Sequence, residues 1–560
     1  MEKKKFWFPS LVLTVICLAI LWKICPICFQ NNDDKALMYL TAGYTTGTPE
    51  AGTVFGSFYY YGFIALLYKI YAGFAWYTII ELAMVAVSLW IVCDTLMNVL
   101  SSKGKLLGVV SCIILFLFVF LHFSTALQYT ATAGMVAGAA ACALIASLDG
   151  MDKETTGTKD WHFIVSVIML VVAYGIRKQF GIVGLGAMLC ILFFEFFTEN
   201  RALIVKKGII ILIAFLVAFG SNAIYEKATG ISDFNEYYAQ AGTWIDYPHL
   251  EYANDTEGVY ASVGWDEPLY NAVSNWFFMD ERLTTDNFKV LVDAYDGNDL
   301  SMRDYYDRAH NLMLSSMIVN IQLVIWIAIL LIINVAAFIK HLSKRQLLMA
   351  DGLFAMFAVV SVYFLIEGRF PMRAYQALVF IFMVPSVIVA LRMMAQCESR
   401  RLLVIAVAAM ALIPVAGSRV RPETNILDYT YTVAHDIYRT ADIEKSTALE
   451  NYAIQHPDGM FIYDLDLALP AGPFTVYKDG LPKNLVFWGG WVYNTPMYWK
   501  QIHANGFDTL YSADFLSGRV FFCGNAVSDT LVQYMQSQDQ LVHCDVVDQV
   551  GDMVIYQFTK

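Results

Sequence analysis

Apolar blocks of roughly 16 to 26 residues recur along the first three quarters of the chain, and most are long enough to cross about 30 Å of hydrocarbon. They fall at 7–28, 75–98, 106–124, 128–147, 161–176, 181–198, 208–225, 314–339, 347–367, 373–394 and 402–418. Within hydrocarbon each backbone amide must find its partner in its own segment or in a closed barrel. Barrel strands alternate in polarity, which runs such as 209–220 do not, so the pattern predicts eleven membrane-spanning helices. A twelfth apolar stretch, 52–69, holds Tyr59, Tyr60, Tyr61, Tyr68 and three glycines. That composition suits an interface or a protein-lined groove better than lipid.

Charge decides whether 52–69 crosses. If it does not, one side of the membrane receives Lys3 to Lys5, Lys103, Lys105, Arg201, Lys206, Lys207, Lys340, Lys344, Arg345, Arg400 and Arg401. The opposite loops of the bundle keep Arg177, Lys178, Arg369 and Arg373. The positive-inside rule favours this arrangement, with the amino terminus inside and the carboxyl terminus outside. It places loops 29–74, 226–313 and 368–372 and the tail beyond Arg419 together on the outer face. The turn Trp244-Ile-Asp-Tyr-Pro-His249 should be ordered and packed on the bundle. Helices are expected near 286–295 and 302–314.

The tail mixes both periodicities. Helices are expected at 443–455 and 529–536, and strands at 459–465, 484–487, 519–523, 541–547 and 552–558, which makes a small α/β domain. The fold class is therefore an all-α polytopic membrane bundle of about eleven transmembrane helices (1–420), followed by an extracytoplasmic α/β domain (421–560). The basic, apolar start reads as a retained anchor, since no small-residue cleavage site follows it.

Of 560 residues, 58% are hydrophobic and 15% charged, which excludes an ordinary soluble protein. A formal charge of -12 argues against a nucleic-acid partner. Cys25 and Cys28 form an isolated C-x-x-C with no second pair nearby, a weak metal or redox signal. Cys523 and Cys544 could form a disulfide if the tail is extracytoplasmic. No H-E-x-x-H spacing and no phosphate-binding glycine loop is present; Trp488-Gly-Gly-Trp491 lacks the required strand–helix setting.

The candidate chemistry clusters at the outer face. Asp33 and Asp34 follow the first span. They could serve to cap the following helix, or one could act as a base whose reduced solvent access raises its pKa. Arg369 and Arg373, in Glu367-Gly-Arg-Phe-Pro-Met-Arg373, present planar forks suited to phosphate, although Glu367 could neutralise one of them. Arg177 and Lys178 make a similar, weaker pair that could equally touch lipid headgroups. His122 and Gln128, with Ser124, Tyr129 and Thr130, could line a substrate cavity; a hydrogen-bonded structural histidine is the competing reading. Tyr60 and Tyr247 are further cavity candidates. Glu81 and Glu195 lie within spans, so each should face the bundle interior.

The placement of Asn32-Asp33-Asp34 resembles the GT-C class of integral-membrane glycosyltransferases. So does the segment Leu40-Thr-Ala-Gly-Tyr-Thr-Thr-Gly-Thr-Pro49, followed by an apolar helix, which is similar to bacterial cell-surface-polysaccharide members. The order of Asp246-Tyr-Pro248, Gly264-Trp265 and Gly368-Arg369 across 1–420 fits as well. The resemblance implies a bacterial cytoplasmic-membrane enzyme that takes sugar from a polyprenyl-phosphate donor and gives it, with inversion, to a glycan or lipid-linked acceptor. Asp33 or Asp34 would be the base, and Arg369, with Arg373 or Arg177, would hold the leaving phosphate. A divalent cation (Mg2+ or Mn2+) stays open, since some members use one and others do not. A polysaccharide ligase or polymerase, a flippase of lipid-linked sugar and a scaffold are the competing classes.

Overall fold

The computed structural model describes residues 7–101, 104–148, 160–197, 200–295, 301–315, 317–340, 343–396, 400–422, 425–440, 443–463, 472–478 and 480–560. Lys3 to Lys5 and Lys103 lie outside them. Among the described residues, nine helices are long and apolar enough to cross a membrane, from Trp7–Ile24 to Arg401–Val420. Two shorter apolar helices, Lys105–Phe120 and Trp161–Ile176, occupy the two remaining expected spans. The Tyr-rich stretch forms the helix Phe58–Ile70, whose 13 residues reach only about 20 Å at 1.5 Å per residue.

Two helices make the axis of the bundle. The span windows of Tyr129–Leu148 and Met372–Gln396 are 94% and 100% buried, against 22% for Trp7–Ile24, so the others wrap around this pair. Small residues permit their approach. A Cβ on Gly134 would lie 2.5 Å from Ala377 Cα, and one on Gly138 would lie 2.3 Å from the Phe380 carbonyl oxygen. Without a hydrophobic force between helices in lipid, such backbone contact is what packing must supply. The facing helix widens into a π-turn at Val379–Met383 beside these glycines.

Several charged groups inside the bundle meet ionic or hydrogen-bonding partners, which offsets their cost in hydrocarbon. At one end, Glu195 is 3.4 Å from Arg345 and 3.9 Å from Arg392. Nearby, Lys207 Nζ donates to the Ser147 carbonyl at 2.9 Å, and His162 meets Asp94 at 3.0 Å. Glu81, also fully buried, accepts a hydrogen bond from Tyr60 OH at 2.7 Å.

The other end carries the long loops. After the first span, β1 (Cys28–Phe29) pairs in parallel with β2 (Ala126–Leu127), which satisfies backbone groups where no helix continues. The helix Asn32–Ala42 starts directly from this pairing. Residues 231–315 form the helices Ile231–Asp246, Glu267–Ser274, Thr285–Asp293 and Met302–Ser315. Trp244, on the first of them, is fully buried against Tyr270 and Phe288 of the next two and stacks on His249 with ring centroids 4.3 Å apart. The ordered turn at 244–249 is thus an aromatic core of its own.

The C-terminal domain is a five-stranded sheet. Its strands are β3 (Met460–Tyr463), β4 (Leu485–Phe487), β5 (Val520–Cys523), β6 (His543–Val550) and β7 (Met553–Thr559), in the order β4-β3-β5-β7-β6. The first three neighbours run parallel; β7 and β6 close the edge antiparallel. The helices Ile443–Gln455 and Asp529–Gln538 lie where the pattern predicts them. The expected strand at 459–465 spans Met460–Tyr463, and residues 464 and 465 lie outside the described residues. One expectation is corrected. Cys523 and Cys544 are both free, because β7 lies between their strands and each pairs with β7, not with the other. Cys25 and Cys28 are free and buried as well.

The Gly138 contact yields a stability test. Gly138→Leu should cost about 2–3 kcal/mol by overpacking against backbone that cannot retreat, read as a lower thermal midpoint of the purified protein in detergent. The same change at Gly220, where a Cβ meets nothing within 4 Å, should leave the midpoint nearly unchanged.

Candidate active site

The loop end of the bundle and the C-terminal domain enclose a cavity of about 440 Å³. Its charged lining is Asp33, Asp246, Arg177, Arg369 and Arg373, which leaves one positive charge in excess.

Asp33 and Asp34 occupy the first turn of Asn32–Ala42, where the helix dipole favours negative charge. Consecutive helical residues are rotated about 100° apart, so the two acids cannot share an environment. Asp33 faces the cavity. Its Oδ2 accepts a hydrogen bond from Asn31 Nδ2 at 3.1 Å and lies 4.0 Å from Arg373 Nη2. Asn31 holds the N-cap position but makes no capping bond with its side chain, so capping does not account for this polar cluster.

Asp34 turns into the protein and is fully buried. Its Oδ1 accepts from Tyr77 OH at 2.8 Å and from the Tyr129 amide at 3.0 Å. Burial pushes its carboxyl well above the ordinary range, and the neighbouring Glu81 carboxylate adds to the rise. Asp34 thereby ties the helix carrying Asp33 to the start of the central helix.

Arg369 follows Gly368, whose φ of 82° creates the turn. Its guanidinium bonds Asp246 at 2.5 Å and lies over the Tyr247 ring, 5.7 Å from the centroid. Asp246, not Glu367, is therefore the ionic partner of Arg369. Burial raises the Asp246 pKa on balance, although Arg369 opposes the rise. Arg177 donates to Tyr129 OH and, at 2.8 Å, to Thr130 Oγ1. It also lies 5.0 Å from the ring centroids of both Phe55 and Tyr129. Hydroxyls and ring faces hold it, so its charge stays available to a ligand, while its buried Nε has no partner among the described residues.

Besides Asp34, the sequence candidates Lys178, His122, Gln128, Tyr60, Tyr247, Ser124 and Thr130 lie outside the cavity wall. Lys178 is turned to Glu226 at 2.7 Å. His122 bonds Gln30 at 3.0 Å and faces Thr430 and the Tyr429 ring, joining the bundle to the helix Ile426–Thr440. Gln128 accepts from the Ala131 amide at 3.0 Å. Tyr60 is committed to Glu81 and Tyr247 supports Arg369 from below. Sequence reasoning did not single out Phe55, Tyr238, Trp276, Trp488 or Trp491, which complete the wall. Only the Trp-Gly-Gly-Trp spacing could have signalled the last two.

Among the described residues, no three His, Cys, Asp or Glu side chains come together to hold a metal ion. Mg2+ wants six oxygen ligands in near-octahedral array. The cavity offers Asp33 and the amides beside it, while Asp246 is engaged by Arg369. The donor set therefore fits a divalent cation poorly.

No family profile matches the chain, and no curated protein matches it. Solved structures similar to it include ArnT from Cupriavidus metallidurans bound to undecaprenyl phosphate, at 12% identity over 98% of this chain and 97% of that one, with a TM-score of 0.48. The apo state of that protein gives 11% identity over the same shares and a TM-score of 0.41. The archaeal oligosaccharyltransferase AglB from Archaeoglobus fulgidus, in complex with an inhibitory peptide and a dolichol-phosphate, gives 13% identity over 83% of this chain and 63% of that one, with a TM-score of 0.38.

The residue after Asp34 makes a pH prediction. Lys35 is fully buried toward the C-terminal domain, 5.2 Å from the Tyr39 ring centroid, and its Nζ has no hydrogen-bond partner among the described residues. Burial pushes its pKa down from 10.5 to about 7, against the pull of Glu450. The unfolded chain therefore binds this proton up to about pH 10.5 and the folded one only up to about pH 7. Stability from this group rises across that window as pH increases, and its penalty is complete below it. Lys35→Met should raise the thermal midpoint at pH 7, by the equivalent of a few kcal/mol, and flatten the difference between midpoints at pH 7 and pH 9.5.

Proposed function

We propose that the chain is an inverting glycosyltransferase of the GT-C kind. It would move a sugar from a polyprenyl-phosphate-linked donor to a hydroxyl of a cell-surface glycan or lipid acceptor. Residues 1–420 form its catalytic module, and 421–560 form a domain that covers the site. The observation that carries this reading is the cavity lining: Asp33, met only loosely by Arg373 at 4.0 Å, shares a membrane-bundle mouth with three guanidiniums.

The acceptor hydroxyl gives its proton to Asp33 as its oxygen attacks the anomeric carbon. The bond from that carbon to the phosphate oxygen breaks on the opposite face, and its electron pair leaves with the lipid phosphate. A single displacement of this kind inverts the anomeric centre. Negative charge grows on the phosphate, where Arg373, Arg177 and Arg369 present fixed donors. A phosphate can compete with Asp246 for Arg369 without moving the guanidinium far. Asp34 positions the base and does not itself meet substrate.

The basic clusters on the opposite side of the bundle support an extracytoplasmic site in a bacterial cytoplasmic membrane. Asp33→Asn should lower sugar transfer by about 10²–10⁴-fold, while affinity for undecaprenyl phosphate stays within about twofold. Mass spectrometry of surface glycan and lipid-linked intermediates, from cells with wild type or variant, reads the first quantity. A flippase or scaffold would tolerate the change, so unaltered glycan with D33N rejects the reading. For sidedness, an exposed cysteine at Gln540→Cys should react with a membrane-impermeant maleimide in spheroplasts, beyond any native background. Labelling only after lysis would place the site on the wrong face.

A further inference from the structure

The chemistry above uses the charged part of the cavity wall and leaves its aromatic part without a task. That part joins two segments far apart in the chain: Asn275 and Trp276 from the loop after the seventh span, and residues 488–491 from the C-terminal domain. Trp276 has a φ of 65°, a left-handed conformation that a bulky residue rarely adopts. Its ring is nonetheless 40% exposed while lining the cavity, so core packing does not account for the strain.

The opposing loop is fitted to it. A Cβ on Gly489 would lie 2.2 Å from the Trp276 carbonyl oxygen, and Gly490 has a φ of 77°. Trp488 Nε1 reaches the Asn275 carbonyl at 3.5 Å, with its ring packed on Phe277 and Phe522. Trp491 is only 5% exposed, lines the cavity and has an indole N–H with no hydrogen-bond partner among the described residues. A buried donor left unmet at a cavity wall marks a place for a ligand acceptor.

We infer that Trp276 and Trp491, with Trp488 anchoring them, form a subsite for a pyranose ring, so that the C-terminal domain contributes sugar recognition to the catalytic cavity. The inference rests on the glycosyl-transfer reading and deepens it. A pyranose presents a face of C–H bonds to an aromatic plane and hydroxyl oxygens to an N–H donor. The three tryptophans carry no charge, so they would not compete with the arginines for the phosphate. An isoprenoid tail has no acceptor for the Trp491 N–H. The ring could belong to the donor or to the acceptor, and the same chemistry serves both.

The test uses the full chain in nanodiscs, with Trp276→Ala and Trp491→Phe. The first truncates a ring already exposed; the second removes the N–H donor and trims the indole to a phenyl ring that can still stack. Probes are undecaprenyl phosphate, undecaprenyl-phosphate-linked glucose and N-acetylglucosamine, and the methyl glycosides of both sugars, followed by saturation-transfer NMR and native mass spectrometry. Both variants should bind undecaprenyl phosphate within twofold of wild type. Each should lose at least fivefold in affinity either for the methyl glycosides, which assigns an acceptor ring, or only for the lipid-linked sugars, which assigns a donor ring. Unchanged saccharide affinity in both variants overturns the subsite. So does a wild type that binds undecaprenyl phosphate but none of the saccharide probes. A wild type that binds no lipid phosphate at all overturns the glycosyl-transfer reading itself.

Discussion

An apolar helix that crosses hydrocarbon has to exit on the far side, so the segments after the first, third, fifth, seventh, ninth and eleventh spans emerge at one end of the bundle. Those segments hold Asp33, the 121–128 turn, Arg177, residues 226–313, Arg369 and the C-terminal domain. Parity thus gathers residues separated by hundreds of positions before any specific contact forms. Local pairings then fix the details. The short β1–β2 ladder binds the exit of the first span to the entry of the central helix, and Asp34 repeats that link with its side chain.

The two ends of the bundle treat charge differently. Where Glu195 meets Arg345 and Arg392, a buried acid faces two cations, which is what a structural cluster in apolar surroundings must do. At the cavity, Asp33 and Arg373 stand 4.0 Å apart and Arg177 rests on hydroxyls and rings. Such loosely met charges hold less energy in one another and more for a ligand. Arg369 is intermediate. Asp246 orients its fork and half-neutralises it, which keeps the empty cavity from accumulating positive charge.

Span positions, the outline of the tail and the gathering of acids and arginines were legible because they depend on segment length, periodicity and parity. Which of Asp33 and Asp34 lines the cavity was not. That choice depends on how far Asn32–Ala42 is rotated about its axis, which the β1–β2 register and Tyr77 determine. Lys178 and His122 carry the right chemistry for a cavity but are engaged by partners distant in sequence, Glu226 and Thr430. Hydropathy cannot see such pairings. The Cys523–Cys544 pairing failed for a similar reason: sequence gives both strands but not that β7 inserts between them. The aromatic wall was invisible because each tryptophan, taken alone, reads as core.

The helix Asn32–Ala42 connects these features. Its 11 residues span about 16 Å, with Asp33 at one end and the left-handed Gly43 at the other. A side chain on Gly43 would meet the backbone of Thr48 and Pro49 within 2.3 Å, so the chain reverses there only with glycine. The reversed segment then docks the C-terminal domain. The Tyr44 carbonyl accepts from the Leu481 amide at 2.9 Å, and Lys500 bonds Glu50 at 2.6 Å and Thr48 at 2.8 Å. One short rigid element therefore sets both the position of Asp33 and the placement of the domain whose Trp-Gly-Gly-Trp turn faces it. A shift of the domain along its dock would move the aromatic wall relative to Asp33, so the composition of 40–49 bears on the site although none of those residues lines the cavity.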